Sequence, residues 1–393
     1  MISVSKALQI IQSQALFSKE KEVLLCDAVG SVLSEDVVSP IHMPPFRQSA
    51  MDGYALKWSA DSDYILTHES QAGSFNSFSL RDHEAVRIFT GAVVPDDADT
   101  VVIQEHVEKK GDHLVIHKMP SKNANIRAEG EQIQKGKIAL KKGTLIQPAA
   151  VGFLACLGIE KVKVFKSPKI GVLVTGDELQ SAGSPLEPGR IYESNSSMLQ
   201  AVLKDTGIRE EVKVLRVKDN LEHTKEMIKC MLQEVDILLI SGGISVGEYD
   251  FVKRGLEANE VEELFYKINQ KPGKPMWFGR RNKSYVFALP GNPASVLTCF
   301  YVYVYPFIQA WKGCENFDLE RSIATSDQAL VNKSGKTLFL KASLSDSGSV
   351  SPLMGQSSAM MYTYALSNAL ICVPEGKGSI EIGEDVECIR LPL

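Results

Sequence analysis

From residue 168 onward the chain repeats strand, helix and strand, and several of the predicted strands are apolar without alternation. In DILLI (236–240), every residue after the aspartate is apolar. A strand that is apolar on both sides must be covered on both sides, as happens when helices pack on the two faces of a parallel sheet. We therefore predict a three-layer α/β domain over residues 168–312.

The segments on either side of this domain have other periodicities, and 393 residues exceed the roughly 250–300 that one hydrophobic core supports. Residues 1–39 show helical spacing and are predicted to be mainly helical. Short alternating runs over 40–139 predict a β-rich module, and PAAVGFLACLGI (148–159) predicts a helix that stops at Gly158. Short strands return over 318–393, which predicts a small C-terminal β domain. The apolar face of the N-terminal helical segment comprises Val4, Leu8, Ile11, Ala15 and Leu16.

Charge and cysteine usage exclude several classes of protein. The 48 acidic residues outnumber the 43 basic ones, for a net charge of −5, which argues against binding to nucleic acid or an anionic membrane. Apolar runs fall short of the roughly 18–20 residues of a membrane span, and the N-terminus lacks the apolar block of a signal peptide. The seven cysteines are scattered and never spaced as CxxC, as is typical of reduced thiols. We expect a cytoplasmic protein.

Glycine-rich loops follow three of the predicted strands. KIGVLV runs into TGDE (175–178), VDILLI runs into SGGISVG (241–247), and SYVFA runs into LPGNPAS (289–295). In open parallel sheets ligands bind at the carboxyl ends of strands, and glycine lets backbone amides approach an oxyanion closely. Each loop alone could be a plain tight connection, but together they favour an anion site.

The LPGNPAS loop also resembles the start of a helix. Asn292 is a suitable N-cap residue and Pro293 a suitable first helical residue. We predict that the amides near Ala294 and Ser295 are left free for a ligand.

Acidic residues lie in or just after the same predicted loops. Carboxylates beside a phosphate site would repel the phosphate unless a cation intervenes, and Mg²⁺ commonly binds through one or two carboxylates together with substrate phosphates. Any one of these acids could equally be an ordinary helix cap. The set that favours a magnesium site is Asp177, Glu178, Asp219 and Asp250.

Basic residues cluster in YKINQKPGKPMWFGRR (266–281) around a Pro-Gly turn. A run of charge is often only a solvated surface. Here the prolines on either side of the turn restrict Lys271 and Lys274, which suits the capture of a small oxyanion. Lys267 precedes this turn and completes the predicted group of lysines.

Taken together and in this order, the motifs resemble the molybdopterin molybdenumtransferases, the family that completes molybdenum cofactor synthesis and to which the C-terminal domain of gephyrin is homologous. The resemblance covers essentially the whole chain. Its motifs are PPFRQSAMDGYAL (45–57), FTGAVVPDDADTVV (89–102), TGDEL (175–179), SGGISVGEYD (241–250), KPGKP (271–275) and LPGNPAS (289–295).

The resemblance implies a multidomain α/β plus β fold and an elongated homodimer. The domains would be a helical linker domain (1–39 and 140–167), an inserted β domain (40–139), an α/β molybdopterin-binding domain (168–312) and a C-terminal β-barrel (318–393). The implied reaction inserts molybdenum from molybdate into adenylylated molybdopterin and releases AMP with the help of Mg²⁺. Implied partners are the adenylylating enzyme of the same pathway and apo-molybdoenzymes that accept the product.

The resemblance also implies roles for individual residues. Asp177, Glu178, Asp219 and Asp250 would lie on the metal and phosphate side, with Asp219 and Asp250 catalytic. Lys267, Lys271 and Lys274 would be catalytic residues beside the pterin phosphate and molybdate. Asp52 and Thr90 of the other subunit would complete a shared active-site cleft. The remaining implied substrate-binding residues are Thr175, Gly242, Gly243, Ser245, Pro290, Asn292, Pro293, Ser295, Lys341 and Ser358.

Three positions depart from the family pattern. Gln132 replaces the usual aspartate, Lys341 replaces an arginine and so exchanges a two-pronged grip on the oxyanion for a point charge, and Ser357 replaces a glycine. The departures leave open a duplicate enzyme with altered oxyanion use, such as tungstate. A second alternative is a binding or scaffolding protein on the same fold, like the gephyrin domain, although the chain lacks gephyrin's fused adenylylating domain and long linker.

Overall fold

The chain forms two compact units in the computed structural model, which describes residues 1–14, 16, 19–74, 79–244, 250–315 and 317–392. The predicted division into four domains is finer than this one and stays a prediction. No helix of the described residues combines the length and the apolar character needed to span a membrane. The first unit comprises Met1–Lys21, Gly30–Ser34 and Val164–Leu393, and the second comprises Glu22–Val29 and Glu35–Lys163.

A six-stranded sheet forms the centre of the first unit. The register sets Thr175 beside Val217 and Ser241 beside Leu289, so the four parallel strands end at one edge of the sheet. The remaining two strands extend the sheet by antiparallel pairing. The strand order is Lys213–Val217, Ile170–Thr175, Ile237–Ser241 and Ser284–Leu289, all parallel, followed by Trp277–Arg281 and Glu262–Tyr266.

Helices cover both faces of this sheet, which explains why its strands do not alternate. Val172 and Val174 belong to one hydrophobic core with Leu199, whereas Leu173 belongs to a second core with Ile228. The predicted three-layer α/β domain is therefore confirmed. Its helices are Asn195–Asp205, Leu221–Glu234, Phe251–Ala258, Pro293–Cys299 and Tyr305–Trp311, with a π-helical turn, Phe300–Val304, joining the last two.

Five strands close into a β-barrel in the C-terminal part of the first unit, which confirms the predicted barrel. A short strand next to the α/β sheet, Gln270–Lys271, pairs in parallel with the barrel strand Thr337–Leu344. This pairing ties the lysine-rich loop to the barrel. Around the barrel the order is Thr337–Leu344, Ser349–Pro352, Arg321–Ser326, Asp385–Arg390 and Ala369–Val373. Smaller elements of this unit are the helix Met361–Ala365 and the strand pairs Leu330–Val331 with Ser379–Ile380 and Leu179–Gln180 with Ile191–Tyr192.

The second unit contains the predicted β-rich module. Its main sheet has a hydrophobic core on each face, one around Val86 and one around Leu114. The helix Pro148–Cys156 forms as predicted, and Gly158 follows it with φ +78°. The sheet order is Thr100–Ile103, Gly53–Leu56, Glu84–Ile88, Asp63–Ser70, His113–Ile116 and Val107–Lys110. Short pairs join Gln48–Ser49 with Ile126–Arg127 and Val37–Val38 with Ile138–Leu140.

The prediction that residues 1–39 are mainly helical is wrong. The N-terminal helix covers only Val4–Gln12, and Ile11 is buried on the expected face. At its end the side chains of Ser13 and Gln14 donate hydrogen bonds to the carbonyl of Ile10, at 2.8 and 2.9 Å, and so satisfy a carbonyl of the last turn. The next described element is a strand, Glu20–Leu24, which pairs with Lys161–Phe165.

Candidate active site

Two adjoining cavities lie at the carboxyl edge of the α/β sheet, both within the first unit. The glycine cavity, of about 450 Å³, is lined by the loops after Ile170–Thr175 and Ile237–Ser241. The lysine cavity, of about 770 Å³, is lined by residues 270–275 and 356–358. Gly291 and Asn292 line both cavities. One extended ligand can therefore contact the loops that follow Thr175, Ser241 and Leu289 and also the lysine-rich turn.

The turn after Ile237–Ser241 requires glycine at two successive positions. Gly242 has φ +90° and Gly243 has φ +62°, values that residues with a side chain rarely adopt. A Cβ atom on Gly242 would lie 2.6 Å from the carbonyl oxygen of Thr175, and one on Gly243 would lie 2.6 Å from Thr175 Oγ1. Backbone therefore packs on backbone at the wall of the glycine cavity. Ser245, the next predicted contact, lies outside the described residues.

Two buried polar atoms beside this turn have no hydrogen-bond partner in the described structure, Thr175 Oγ1 and Asn195 Oδ1. Both residues line the glycine cavity. Asn195 Nδ2 donates to Ser241 Oγ and to the carbonyl of Gly291, each at 2.8 Å, and so links the two glycine loops. Sequence reasoning identified Thr175 but missed Asn195, because its partners Ser241 and Gly291 lie 46 and 96 residues away in the chain.

Three of the four predicted acids lie close together. The amide of Asp219 donates to Asp177 Oδ1 at 3.3 Å, and Glu178 and Asp219 both line the glycine cavity. Burial raises the pKa of the Asp219 carboxyl, and the negative charges of Asp177 and Glu178 raise it further. A cation would relieve this repulsion, so the donor set suits Mg²⁺.

The fourth acid, Asp250, acts as a helix cap. It precedes the helix Phe251–Ala258, and its Oδ1 accepts a hydrogen bond from the amide of Lys253 at 3.1 Å. Burial raises the pKa of this carboxyl as well. Among the described residues no three acidic, histidine or cysteine side chains are placed to hold one metal ion. The metal roles of the four acids stay predictions.

The lysine cavity holds two of the predicted lysines and one that was not predicted. Lys271, Lys274 and Lys336 all line it. The turn between the first two is fixed, because Gly273 has φ +86° and a Cβ atom there would lie 2.5 Å from Cys299 Sγ. Three lysines lining one cavity favour the binding of an anion there.

Lys267 is placed differently from the prediction. Its Nζ lies 4.6 Å from the centre of the Tyr266 ring, and within the described structure its side chain lines neither cavity. Burial raises the pKa of the helix-capping Asp250, and the positive charge of Lys267 acts in the opposite direction and lowers it. The predicted role of Lys267 beside the pterin phosphate and molybdate is not apparent from this position.

The LPGNPAS loop joins the two cavities. Pro293 lines the glycine cavity, and Pro290 and Ser295 line the lysine cavity. Asn292 occupies the predicted N-cap position of the helix Pro293–Cys299, but its side chain makes no capping hydrogen bond there. The prediction of a free amide at Ala294 is wrong, because that amide donates to the carbonyl of Ser358 at 3.1 Å.

Ser358 is itself held at the lysine cavity, which it lines. Its Oγ accepts a hydrogen bond from Asn292 Nδ2 at 2.8 Å. Ser357 lines the same cavity and has no positive φ, so this position accepts a side chain where the family has glycine. The loop of residues 355–360 and the LPGNPAS loop therefore form one continuous wall.

The predicted contact of Lys341 with the oxyanion is not apparent from its position in the described structure. Lys341 is 4% exposed, and its Nζ donates to the carbonyls of Gly355, Ser357 and Met360 at 2.9, 3.1 and 3.0 Å. Lys336 faces the cavity instead. Lys336 immediately precedes the barrel strand Thr337–Leu344, whereas Lys341 lies within it.

Asp52 and Thr90 lie in the second unit and are brought together there. The amide and the hydroxyl of Thr90 both donate to Asp52 Oδ1, each at 2.7 Å. The hydrogen bond from the Thr90 hydroxyl, followed by that from its amide, lowers the pKa of the Asp52 carboxyl. Asp52 is thus held as a carboxylate. Gln132 is exposed in this unit.

Family models match almost the entire chain in three successive segments. Residues 2–158 match the MoeA N-terminal region (domain I and II). Residues 171–310 match the probable molybdopterin binding domain, which contains both glycine loops. Residues 324–391 match the MoeA C-terminal region (domain IV), which corresponds to the barrel.

Whole proteins are similar over the same length. The chain is 34% identical to the molybdopterin molybdenumtransferase of Haemophilus influenzae, with 98% of each chain covered. It is 32% identical to that of Staphylococcus aureus, over 99% of this chain and 95% of the other. Among solved structures, the molybdopterin biosynthesis MoeA protein of Pyrococcus horikoshii OT3 superposes with a TM-score of 0.84 at 28% identity, covering 100% of both chains. These matches confirm the resemblance drawn from the motifs.

Proposed function

The chain belongs to the molybdopterin molybdenumtransferase family of transferases, and from this we propose that it inserts molybdenum from molybdate into adenylylated molybdopterin, with Mg²⁺-dependent release of AMP. The observation that carries the proposal is the pair of adjoining cavities that share Gly291 and Asn292. One cavity presents glycine backbone and carboxylates, and the other presents three lysines. A nucleotide-linked pterin and an oxyanion can occupy them side by side.

In the proposed reaction the phosphoanhydride of adenylylated molybdopterin is cleaved by water, whose oxygen goes to a phosphate, and AMP leaves. Two molybdenum–sulfur bonds form at the dithiolene. One molybdate oxygen leaves as water with the two thiol protons. The chain's part is to hold both substrates in adjoining sites, so that hydrolysis and metal insertion are coupled.

The residues of each cavity suit one substrate. The Gly242–Gly243 turn lets a phosphate approach the backbone, and Thr175 and Asn195 supply buried polar atoms that have no partner among the described residues. Lys271, Lys274 and Lys336 neutralise the incoming oxyanion. Mg²⁺, held by Glu178 and Asp219 with substrate phosphate oxygens, would polarise the phosphoanhydride.

The direct test is to mix the purified protein with adenylylated molybdopterin, Mg²⁺ and molybdate. We expect AMP release that depends on both ions and activation of an apo-molybdoenzyme by the product. Samples lacking Mg²⁺ or molybdate serve as controls. If no AMP forms with any oxyanion, the proposed reaction is wrong, and a scaffolding role on the same fold becomes the better explanation.

The proposal includes a homodimer in which Asp52 and Thr90 of one subunit complete the cleft of the other. Asp52→Ala and Lys274→Ala homodimers are both expected to be nearly inactive. When the two variants are co-expressed, half of the dimers are mixed and each has one intact cleft, so we expect about a quarter of wild-type AMP release. Activity no greater than the sum of the two single variants would show that the cleft is not shared.

A further inference from the structure

Lys341 is a buried charged side chain to which the proposed reaction gives no role. It lies on the barrel strand Thr337–Leu344, and its three ammonium donors meet the carbonyls of Gly355, Ser357 and Met360. An ammonium group has three N–H donors, so all of them are used. The charge of Lys341 is therefore directed to one loop and not to a ligand.

A second set of bonds fixes the same loop to the same strand residue. Gln356 Nε2 donates to the carbonyl of Lys341 at 2.8 Å and to that of Leu353 at 2.7 Å. Gln356 Oε1 accepts from the amide of Lys341 at 3.0 Å. The loop of residues 355–360 is thus attached to both the side chain and the backbone of Lys341.

This loop carries residues that line the lysine cavity. Ser357 and Ser358 both line it, and Ser358 bonds the start of the helix Pro293–Cys299 through its Oγ and its carbonyl. The carbonyl of Ser357 points to Lys341 at 3.1 Å. A change in the contacts of Lys341 must therefore move the cavity wall.

We propose that Lys341 is a positioning residue for oxyanion binding, whose ammonium gathers the loop of residues 355–360 and so holds Ser357 and Ser358 at the wall of the lysine cavity. The inference rests on the proposed function, because it takes the lysine cavity as the oxyanion site. It also explains a lysine at this position. A compact ammonium can donate in three directions to three carbonyls, whereas the planar guanidinium of arginine presents its donors in a fork.

Burial lowers the pKa of the Lys341 ammonium. The three carbonyl oxygens oppose this effect, because hydrogen bonds to the charged form favour it. A replacement that keeps the length of the side chain but not the donors would leave these carbonyls without their ammonium partner. Lys341→Met meets this requirement, since methionine is unbranched and apolar.

The test compares the binding of two probes, sodium molybdate and AMP, to the full-length dimer by calorimetry. In Lys341→Met we expect the affinity for molybdate to fall about tenfold or more, while the affinity for AMP at the glycine cavity stays within about twofold of wild type. Lys341→Gln retains two donors and is expected to lie between methionine and wild type. If the methionine variant does not fold, the molybdate affinity of Lys341→Gln still tests the proposal.

Unchanged molybdate affinity in a folded Lys341→Met or Lys341→Gln variant would overturn the positioning role while leaving the proposed function intact. An equal loss of AMP and molybdate affinity would also overturn it, because a general loss of structure affects both cavities. Failure of the wild-type protein to bind molybdate would instead reject the proposed function, and this inference with it.

Discussion

Lys274→Ala is expected to lower kcat/KM for molybdate by about 10²-fold or more, because the variant lacks one of the three ammonium groups of the lysine cavity. The turn that carries Lys274 is rigidly packed, since Gly273 lies against Cys299. Neighbouring lysines therefore cannot readily take its place. The measurement is the rate of AMP release over a range of molybdate concentrations, which separates the effects on KM and kcat.

The matched control is Lys229→Ala, which removes an exposed lysine from the helix Leu221–Glu234. The control makes the same change in net charge and is expected to retain wild-type kinetics. A Lys274→Ala enzyme with the molybdate dependence of the control would refute the placement of the oxyanion in the lysine cavity.

Gly242→Ala is expected to weaken AMP binding by about 10²-fold. The new methyl group would lie 2.6 Å from the carbonyl oxygen of Thr175, and the position has φ +90°. Because the contact is with backbone, the turn itself must move, and the wall of the glycine cavity moves with it. Calorimetric titration of the purified protein with AMP measures the effect, and circular dichroism checks the fold.

Gly189→Ala separates crowding from backbone strain. Gly189 also has a positive φ, +77°, but a Cβ atom there would meet nothing within 4 Å. Both variants carry the cost of a left-handed residue, about 1–2 kcal/mol, yet only Gly242→Ala is crowded. We expect Gly189→Ala to bind AMP like wild type. Equal binding by the two variants would show that the close approach to Thr175 is not needed.

The sequence predicted the strands and helices that are determined by neighbouring residues. The strand Ile237–Ser241 follows from an uninterrupted apolar run, and the helix Pro293–Cys299 follows from Asn292 and Pro293. The mainly helical prediction for residues 1–39 failed where a distant segment decided the outcome. Glu20–Leu24 is a strand because Lys161–Phe165 pairs with it, and nothing in the nearby sequence indicates that partner.

In the candidate site, too, residues governed by local sequence could be predicted and residues held by distant partners could not. Gly242 and Gly243 could be predicted, because a glycine pair after a buried strand has few other uses. Asn195 could not, since its partners Ser241 and Gly291 lie 46 and 96 residues away. The oxyanion role of Lys341 was implied by the family pattern, and sequence alone does not give the face to which a strand residue points.

The short strand Gln270–Lys271 makes the lysine cavity depend on the C-terminal barrel. It adds a sixth strand to the outside of the barrel, and the barrel in turn supplies Lys336 and Ser358 to the same cavity. Removing residues 318–393 would therefore eliminate four lining residues, Lys336, Gln356, Ser357 and Ser358, together with the strand that pairs with Gln270–Lys271. The α/β sheet left behind would keep its glycine turns but lose part of the lysine cavity, so the proposed oxyanion site requires both the sheet and the barrel.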